Sequence, residues 1–431
     1  VANYWFGTKN WDGAQFGAIF STMGIASIFM PTLCGIVADR WINAEKLYGA
    51  LHILGGLTLL YVPQVSNPSD FFWVILVAMI FYMPTIALSN SVAYNALKKG
   101  GLDVVKDFPP IRVWGTIGFI VAMWITNLTG NKASENQFYI AAIAAIFLGL
   151  YSFTLPKCEP EGNTTENKSF MELMGLSSFK LFADYKLALF FVFSMFLGAA
   201  LQLTNAYGDV FLDDFKHDPV YADSLVVKYS TLIMSISQIS ETLFILAIPF
   251  FLRRFGIKQV MVFSMIAWVL RFGLFAYGNP GDGLWMIILS CVVYGMAFDF
   301  FNISGSLFVE TSTDSKIRSS AQGLFMMMTN GFGAVLGSVT SGFVIDKFFT
   351  DKYYNLNEFL TKFNLTTDNE WVKSLLKDKV VTDNVLDKPI GIIQWEPVWL
   401  TFAIYAAIIA IAFAILFKHK HNPKDVSNIS H

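Results

Sequence analysis

The sequence predicts an all-α protein that crosses a lipid bilayer many times, and three observations carry that expectation. Charged residues are 14% of the 431, against about 25% in a soluble domain. Hydrophobic residues make up 55%, aromatic residues 16%, and mean hydropathy is +0.52. Eleven stretches are long and apolar enough to span, since a helix needs roughly 20 such residues to cross the hydrocarbon core. These values exclude a soluble enzyme, a disordered chain and a collagen-like repeat. The net charge of −2 leaves no basic footprint for nucleic acid. Cys34, Cys158 and Cys291 form no CxxC or Cys/His cluster, so neither a disulfide framework nor a zinc site is expected. No cofactor is expected either.

The spans are expected at 14–37, 47–64, 71–96, 111–129, 137–156, 186–209, 229–252, 258–277, 284–309, 321–346 and 396–417. Backbone groups in lipid must pair within their own segment, so each span is expected to be a helix. Basic residues set the orientation. One side collects 17 of them, from Arg40 and Lys46 through Arg253, Arg254 and Lys258 to Lys418 and Lys424. The short loops of the other side hold only Lys9, Lys132, Lys216 and Lys228. The richer side is expected to be cytoplasmic, with the C-terminus inside and Val1 outside. The apolar piece Val1–Phe6 reads as the tail of a missing first helix, which would make twelve spans in two groups of six. The expected units are a first helix bundle (1–156), a polar cytoplasmic loop (157–185), a second bundle (186–418) and a cytoplasmic tail (419–431). The loop contains an amphipathic piece, Phe170–Leu176, suited to the membrane surface. The polar segment 347–395 is expected to be an extracytoplasmic insertion within the second bundle, with helix at Glu370–Lys379.

Ionisable groups inside spans are costly, so each is a functional candidate. Four lie deep: Arg112, Glu241, Arg271 and Asp299. Arg112, Thr116 and Phe119 share one helical face. The competing reading of Arg112, near its span's start, is an arginine reaching back to the surface. Gln202 with Asn205, and Gln238 with Glu241, are two i, i+3 pairs in otherwise apolar helices. Their amides suit the polar edges of a nucleobase, although lone amides often serve as interhelical glue. Tyr294, Phe298, Asp299 and Asn302 form a face of rings and acceptors, suited to a ring joined to a polyol. The competing reading of Asp299 is a structural partner for Arg271. His52, the one histidine in a span, reads as packing. There is no HExxH, GxSxG or phosphate-binding loop. An enzyme is therefore not expected, and any transport must run on a gradient. Asp299 and Glu241 are the candidate proton carriers.

The six-plus-six plan and the sequence GIVADR at Gly35–Arg40 resemble the major facilitator superfamily. That superfamily carries Gly-x-x-x-Asp-Arg/Lys between its second and third helices, where it latches a cytoplasmic gate. Gly35, Asp39 and Arg40 would then be gate residues. RFGIK at Arg254–Lys258 and GFVIDK at Gly342–Lys347 are fainter echoes. Longer motifs resemble the nucleoside:proton symporter family of bacterial permeases. They are DFPPIRVWGTIGF at Asp107–Phe119, MSISQISETLF at Met234–Phe244 and AFDFFNISG at Ala297–Gly305. SAQG at Ser320–Gly323 and MTNGFG at Met328–Gly333 agree with them. The resemblance runs from about residue 4 to 421. It implies a central ligand site at Arg112, Thr116, Phe119, Gln202, Asn205, Gln238, Glu241, Tyr294, Phe298 and Asp299. The missing first helix and the long insertion are departures from the family's pattern.

The resemblance implies a proton-coupled importer of nucleosides, such as uridine and adenosine, working by alternating access. It would act as a monomer in the bacterial cytoplasmic membrane. The alternatives are a same-fold permease for a sugar or other metabolite, and a nucleoside sensor that moves nothing.

Overall fold

The computed structural model describes residues 1–11, 13–102, 104–160, 176–313, 318–376 and 379–419. The first half of the chain forms α1 (Gly13–Arg40), α2 (Ala44–Tyr61), α3 (Pro68–Lys99), α4 (Val104–Leu128) and α5 (Asn136–Ser152). After a 3₁₀ turn at Leu176–Ala183 come α6 (Tyr185–Asp214), the short α7 (Leu225–Lys228), α8 (Ser230–Tyr277) and α9 (Leu284–Ser312). Next, α10 (Arg318–Met326) passes through a π-helical segment, Met327–Gly333, into α11 (Ala334–Phe348). The last spanning helix is α14 (Trp395–Leu416).

Local chemistry sets several of these boundaries. Asn67 accepts a hydrogen bond from the Asp70 backbone N–H, and Pro68 opens α3 where its missing N–H costs nothing. Asp184 caps α6 through the Leu187 N–H at 2.9 Å. Inside α8, Gly256 has φ 79° and ψ 168°, a conformation suited to glycine. It folds the helix into two antiparallel arms: Arg271 on the second arm reaches Ser237 on the first, and Phe255 meets Phe263 at 5.1 Å. This is the break expected between 252 and 258.

Among the described residues, seven helices are long and apolar enough to cross a membrane. Separating the arms of α8, and adding α2 with the shorter apolar helices Val113–Leu128 and Asn136–Ser152, gives the expected number of spans at the expected places, with the span expected at 186–209 running on to His217.

The core shows how the halves meet. One large cluster runs through α6, α8, α9, α11 and α14. Among the described residues it reaches into the first half through one end, at Tyr4, Trp5, Phe16, Ile19, Phe71 and Phe138. At the other end the first half keeps its own cluster of Cys34, Ala38, Leu51, Leu88, Val92 and Cys158. The glycines of α1 report the same divergence. A Cβ on Gly17 would lie 2.3 Å from the Ser338 carbonyl oxygen of α11, and one on Gly24 2.8 Å from that of Gly331. A Cβ on Gly35, farther along α1, would meet nothing within 4 Å. Among the described residues the halves are therefore pressed together at one end and make no such close approach at the other.

The segment after α11 carries a sheet that the sequence reading did not anticipate. β1 (Thr350–Asn355), β3 (Val385–Ile393) and β2 (Val381–Thr382) form an antiparallel sheet in the order β1-β3-β2. α12 (Leu356–Phe363) and α13 (Glu370–Leu376) pack on it. Tyr353, Leu356, Phe359, Val372, Leu386 and Ile390 make a small separate core. The helix expected over Glu370–Lys379 is present over Glu370–Leu376, and residues 377 and 378 lie outside the described residues. Trp371 stacks on His217 at 4.1 Å, and the Trp395 indole donates to Asp214 at 2.9 Å, tying the insertion to the end of α6. Of the expected surface segment Phe170–Leu176, residues 170–175 lie outside the described residues.

Candidate functional site

The candidate site lies where the joined ends of the halves begin to part. α4 and α8 meet through Trp124, whose indole donates to the Ser235 hydroxyl at 2.8 Å, and Asn127, which donates to the Lys228 carbonyl at 3.3 Å. The pairing 127 with 228 and 124 with 235 makes the two helices antiparallel. At 1.5 Å per residue, Phe119 lies about 7.5 Å along α4 from this crossing. Gln238 and Glu241 lie about 4.5 and 9 Å along α8 in the same direction. Phe119 is therefore level with the gap between them, and it is 54% exposed. Thr116, one turn farther, is half-buried. Arg112 is in α4, but its side chain is outside the described residues. The side chains of Asp39 and Arg40 at the end of α1 are also outside them.

α9 is held hard against this part of α8. A Cβ on Gly295 would come within 2.6–2.7 Å of the backbone at Ser240 and Glu241. The Ser240 hydroxyl donates to the Val292 carbonyl across the same crossing. Only glycine permits this approach, and it sets the stretch of α9 that carries Tyr294 against the Ser240–Glu241 stretch of α8. Tyr294 and Phe298 are parallel, 12° apart with centroids at 6.4 Å, and Trp268 meets Tyr294 edge-on at 5.9 Å. Tyr294 is within electrostatic reach of Glu241, Arg271 and Asp299. Asp299 is buried, as is Gln202 on α6. Among the described residues, the buried side-chain oxygens of Gln202 and Gln238 have no hydrogen-bond partner, a costly condition that an incoming donor would relieve.

The structure separates one expected pair. Gln202 is buried, whereas Asn205 is exposed, so the i, i+3 spacing did not give them one environment. It also resolves the competing reading of Asp299. The Arg271 guanidinium donates to the Ser290 carbonyl at 2.8 Å and approaches Thr204 and Ser237 at 3.4 Å. Its partners include no carboxylate among the described residues, so Arg271 is not the ion-pair mate of Asp299. His52 packs edge-on against Tyr48 at 4.5 Å, in keeping with a packing role.

Two residues were missed. Thr329 and Asn330, in the π-helical segment, line a crevice with Phe298 and Asn302. Its volume of about 20 Å³ is room for about one water. The available signal was the Gly331–Gly333 pair, which lets this segment pack closely: a Cβ on Gly198 of α6 would lie 2.1 Å from the Thr329 carbonyl. A larger cavity of about 390 Å³ lies at the Gly256 bend beside Lys258 and His419. None of the candidate residues lines it, so size alone does not make it the site.

Two helical halves, joined at one end around polar groups and stacked rings set deep in the bundle, define a membrane transporter of the major facilitator type rather than an enzyme. Residues 1–368 match the model of the nucleoside H⁺ symporter family. The chain is 46% identical over 434 residues to nucleoside permease NupG of Escherichia coli K12, covering 100% of this chain and 94% of that protein. It is 45% identical to the xanthosine permease of the same organism, covering 99% and 93%. A crystal structure of a mutant form of nucleoside transporter NupG superposes with a TM-score of 0.83 at 46% identity, covering 97% of this chain and 94% of that one. The chain belongs to the nucleoside H⁺ symporter family.

Proposed function

We propose that this protein carries nucleosides across the cytoplasmic membrane of a bacterium together with protons, by alternating access between its two halves. The observation that carries the reading is the α8–α9 crossing at Ser240 and Gly295. It brings the α8 stretch that carries Glu241 against the α9 stretch that carries the parallel Tyr294 and Phe298 rings, which supports a site shared by a carboxylate and two rings in an otherwise apolar bundle. A nucleoside has the matching parts: a flat base for the rings, polar base edges for the amides of Gln202, Asn205 and Gln238, and ribose hydroxyls for Glu241 and Asp299. Phe119 closes the site from the first half, with Thr116 and Arg112 on the same face of α4. Asp299 or Glu241 takes the proton.

The side rich in Lys and Arg is assigned to the cytoplasm. The joined end, which carries Lys132 and the insertion, then faces outward, and the site opens inward past Gly35, Asp39 and Arg40. One chain supplies both halves of the path. Affinity must stay moderate, because a ligand held too tightly in one state is not released.

Uridine uptake into proteoliposomes, with and without an inward proton gradient, tests this. Accumulation above equilibrium, competed by adenosine but not by free ribose, is the expected result. Equilibration without accumulation would remove the proton, and competition by free ribose would point to a sugar permease.

A further inference from the structure

We propose that Arg271 is a positioning residue for the ligand site: it fixes the Tyr294 ring and locks together the three helices that carry the amides, carboxylates and rings. The inference rests on the nucleoside-site reading and deepens it.

Arg271 is fully buried in the second arm of α8. A guanidinium with no carboxylate partner in a membrane interior is costly, and such groups are retained where function needs them. Its contacts show what it does. Nε approaches the hydroxyl of Thr204, which stands between Gln202 and Asn205 on α6, at 3.4 Å. Nη1 approaches Ser237, the neighbour of Gln238 on the first arm of α8, at 3.4 Å and donates to the Ser290 carbonyl, one turn before Tyr294 on α9, at 2.8 Å. The Ser290 hydroxyl donates back to the Arg271 carbonyl at 3.0 Å. The guanidinium carbon lies 4.5 Å from the Tyr294 ring centroid and 5.0 Å from that of Phe275.

One side chain thus touches a position adjacent to each amide-bearing segment and covers a ring of the platform. Because the ring face attracts the cation in a dry site, tilting Tyr294 away costs that attraction. Cys291, also on α9, adds a further interaction with the guanidinium.

Uridine affinity of the full-length protein, measured by calorimetry, gives the test in a double-mutant cycle with Tyr294. Arg271→Met is expected to weaken binding about tenfold while the protein stays folded, and Arg271→Lys, which keeps the charge, to lose less. In a Tyr294→Leu background, Arg271→Met is expected to add little. An equal loss in both backgrounds would mean a merely structural role and would overturn the proposal. Wild-type affinity in folded Arg271→Met would overturn it too. If Arg271→Met does not fold, the same cycle with Arg271→Lys decides by the same two criteria. Unchanged binding in Tyr294→Leu alone would overturn the site reading itself, and this inference with it.

Discussion

The Lys132 ammonium, in the loop between α4 and α5, lies 2.5 Å from a carboxylate oxygen of Asp213 near the end of α6. It also donates to the Val227 carbonyl at 2.8 Å and the Ser230 hydroxyl at 3.1 Å. Nearby, Asn3 donates to Asp209 at 2.5 Å. These bonds all run from the first half to the second, so they exist only while this end is closed. The pair is mostly covered, with side-chain exposures of 19% and 9%. Losing the lysine should therefore cost the closed state about 1–2 kcal/mol, between the values for exposed and buried pairs. Lys132→Met is expected to raise the labelling rate of a Ser235→Cys reporter by an impermeant maleimide about tenfold, since about 1.4 kcal/mol is tenfold in population. Equal rates with and without Lys132 would show that the pair does not hold this end shut.

The glycines of α1 set a steric limit on the same closure. At Gly17 a methyl group would meet backbone atoms of Ser338 and Gly342 at 2.3–3.2 Å. Backbone cannot rotate aside as a flexible side chain can, so α1 and α11 must separate. Overpacking of this kind costs about 1–3 kcal/mol. Gly17→Ala is expected to reduce uridine uptake about tenfold or more. Gly273→Ala serves as the control, since a Cβ there meets nothing within 4 Å. Comparable uptake by the two variants, at equal amounts in the membrane, would refute the tight-contact argument.

Thiol chemistry offers an independent check on the half-bundle cores. Cys34, Cys158 and Cys291 are all free and buried. Cys158 lies beyond the end of α5, where its N–H donates to Glu45 at 2.7 Å. Burial, and then the Glu45 carboxylate, push its thiol above the ordinary value, with Lys99 opposing. At neutral pH the thiolate needed for reaction is scarcer than usual. Native protein is expected to react with maleimide at least about tenfold more slowly than protein unfolded in detergent, and Cys158 is expected to speed up as the pH is raised past the ordinary thiol range. Fast labelling at pH 7.5 would mean that the region around Ala44 and Cys158 opens.

The helices were legible because lipid leaves the chain few choices: a span must be long, apolar and internally hydrogen-bonded. The break in α8 was legible for the same reason, since Arg253, Arg254 and Lys258 interrupt the apolar run and Gly256 supplies the turn. The sheet at 350–393 was not, because it is polar outside: in β3 only Leu386 and Ile390 are buried, too few for a visible alternation. Individual candidates such as Gln238, Glu241 and Asp299 stood out by their cost in a membrane. Their arrangement did not. Helical spacing grouped Gln202 with Asn205, but the tertiary packing buried one and exposed the other. Charge logic offered Asp299 to Arg271, but the guanidinium settled on Tyr294 and a carbonyl, contacts that no sequence pattern announces. Thr329 and Asn330 escaped notice because ordinary polar residues in a π-helical turn carry no cost signal of their own.

Binding and coupling should separate by residue. The buried side-chain oxygen of Gln238 has no partner among the described residues, so a donor on the nucleoside would gain a hydrogen bond at little desolvation cost. Gln238→Ala removes that acceptor and is expected to weaken uridine binding about three- to tenfold, the range for one hydrogen bond, without changing the response to a proton gradient. Asp299→Asn keeps the shape and the hydrogen-bonding capacity of a site 4% exposed but cannot take up a proton. It is expected to abolish gradient-driven accumulation while leaving uridine exchange. The two readouts give opposite patterns if one group touches the ligand alone and the other links ligand to proton. Accumulation at the wild-type level in Asp299→Asn would assign coupling to Glu241, the other carboxylate beside Tyr294, and Glu241→Gln should then show the loss.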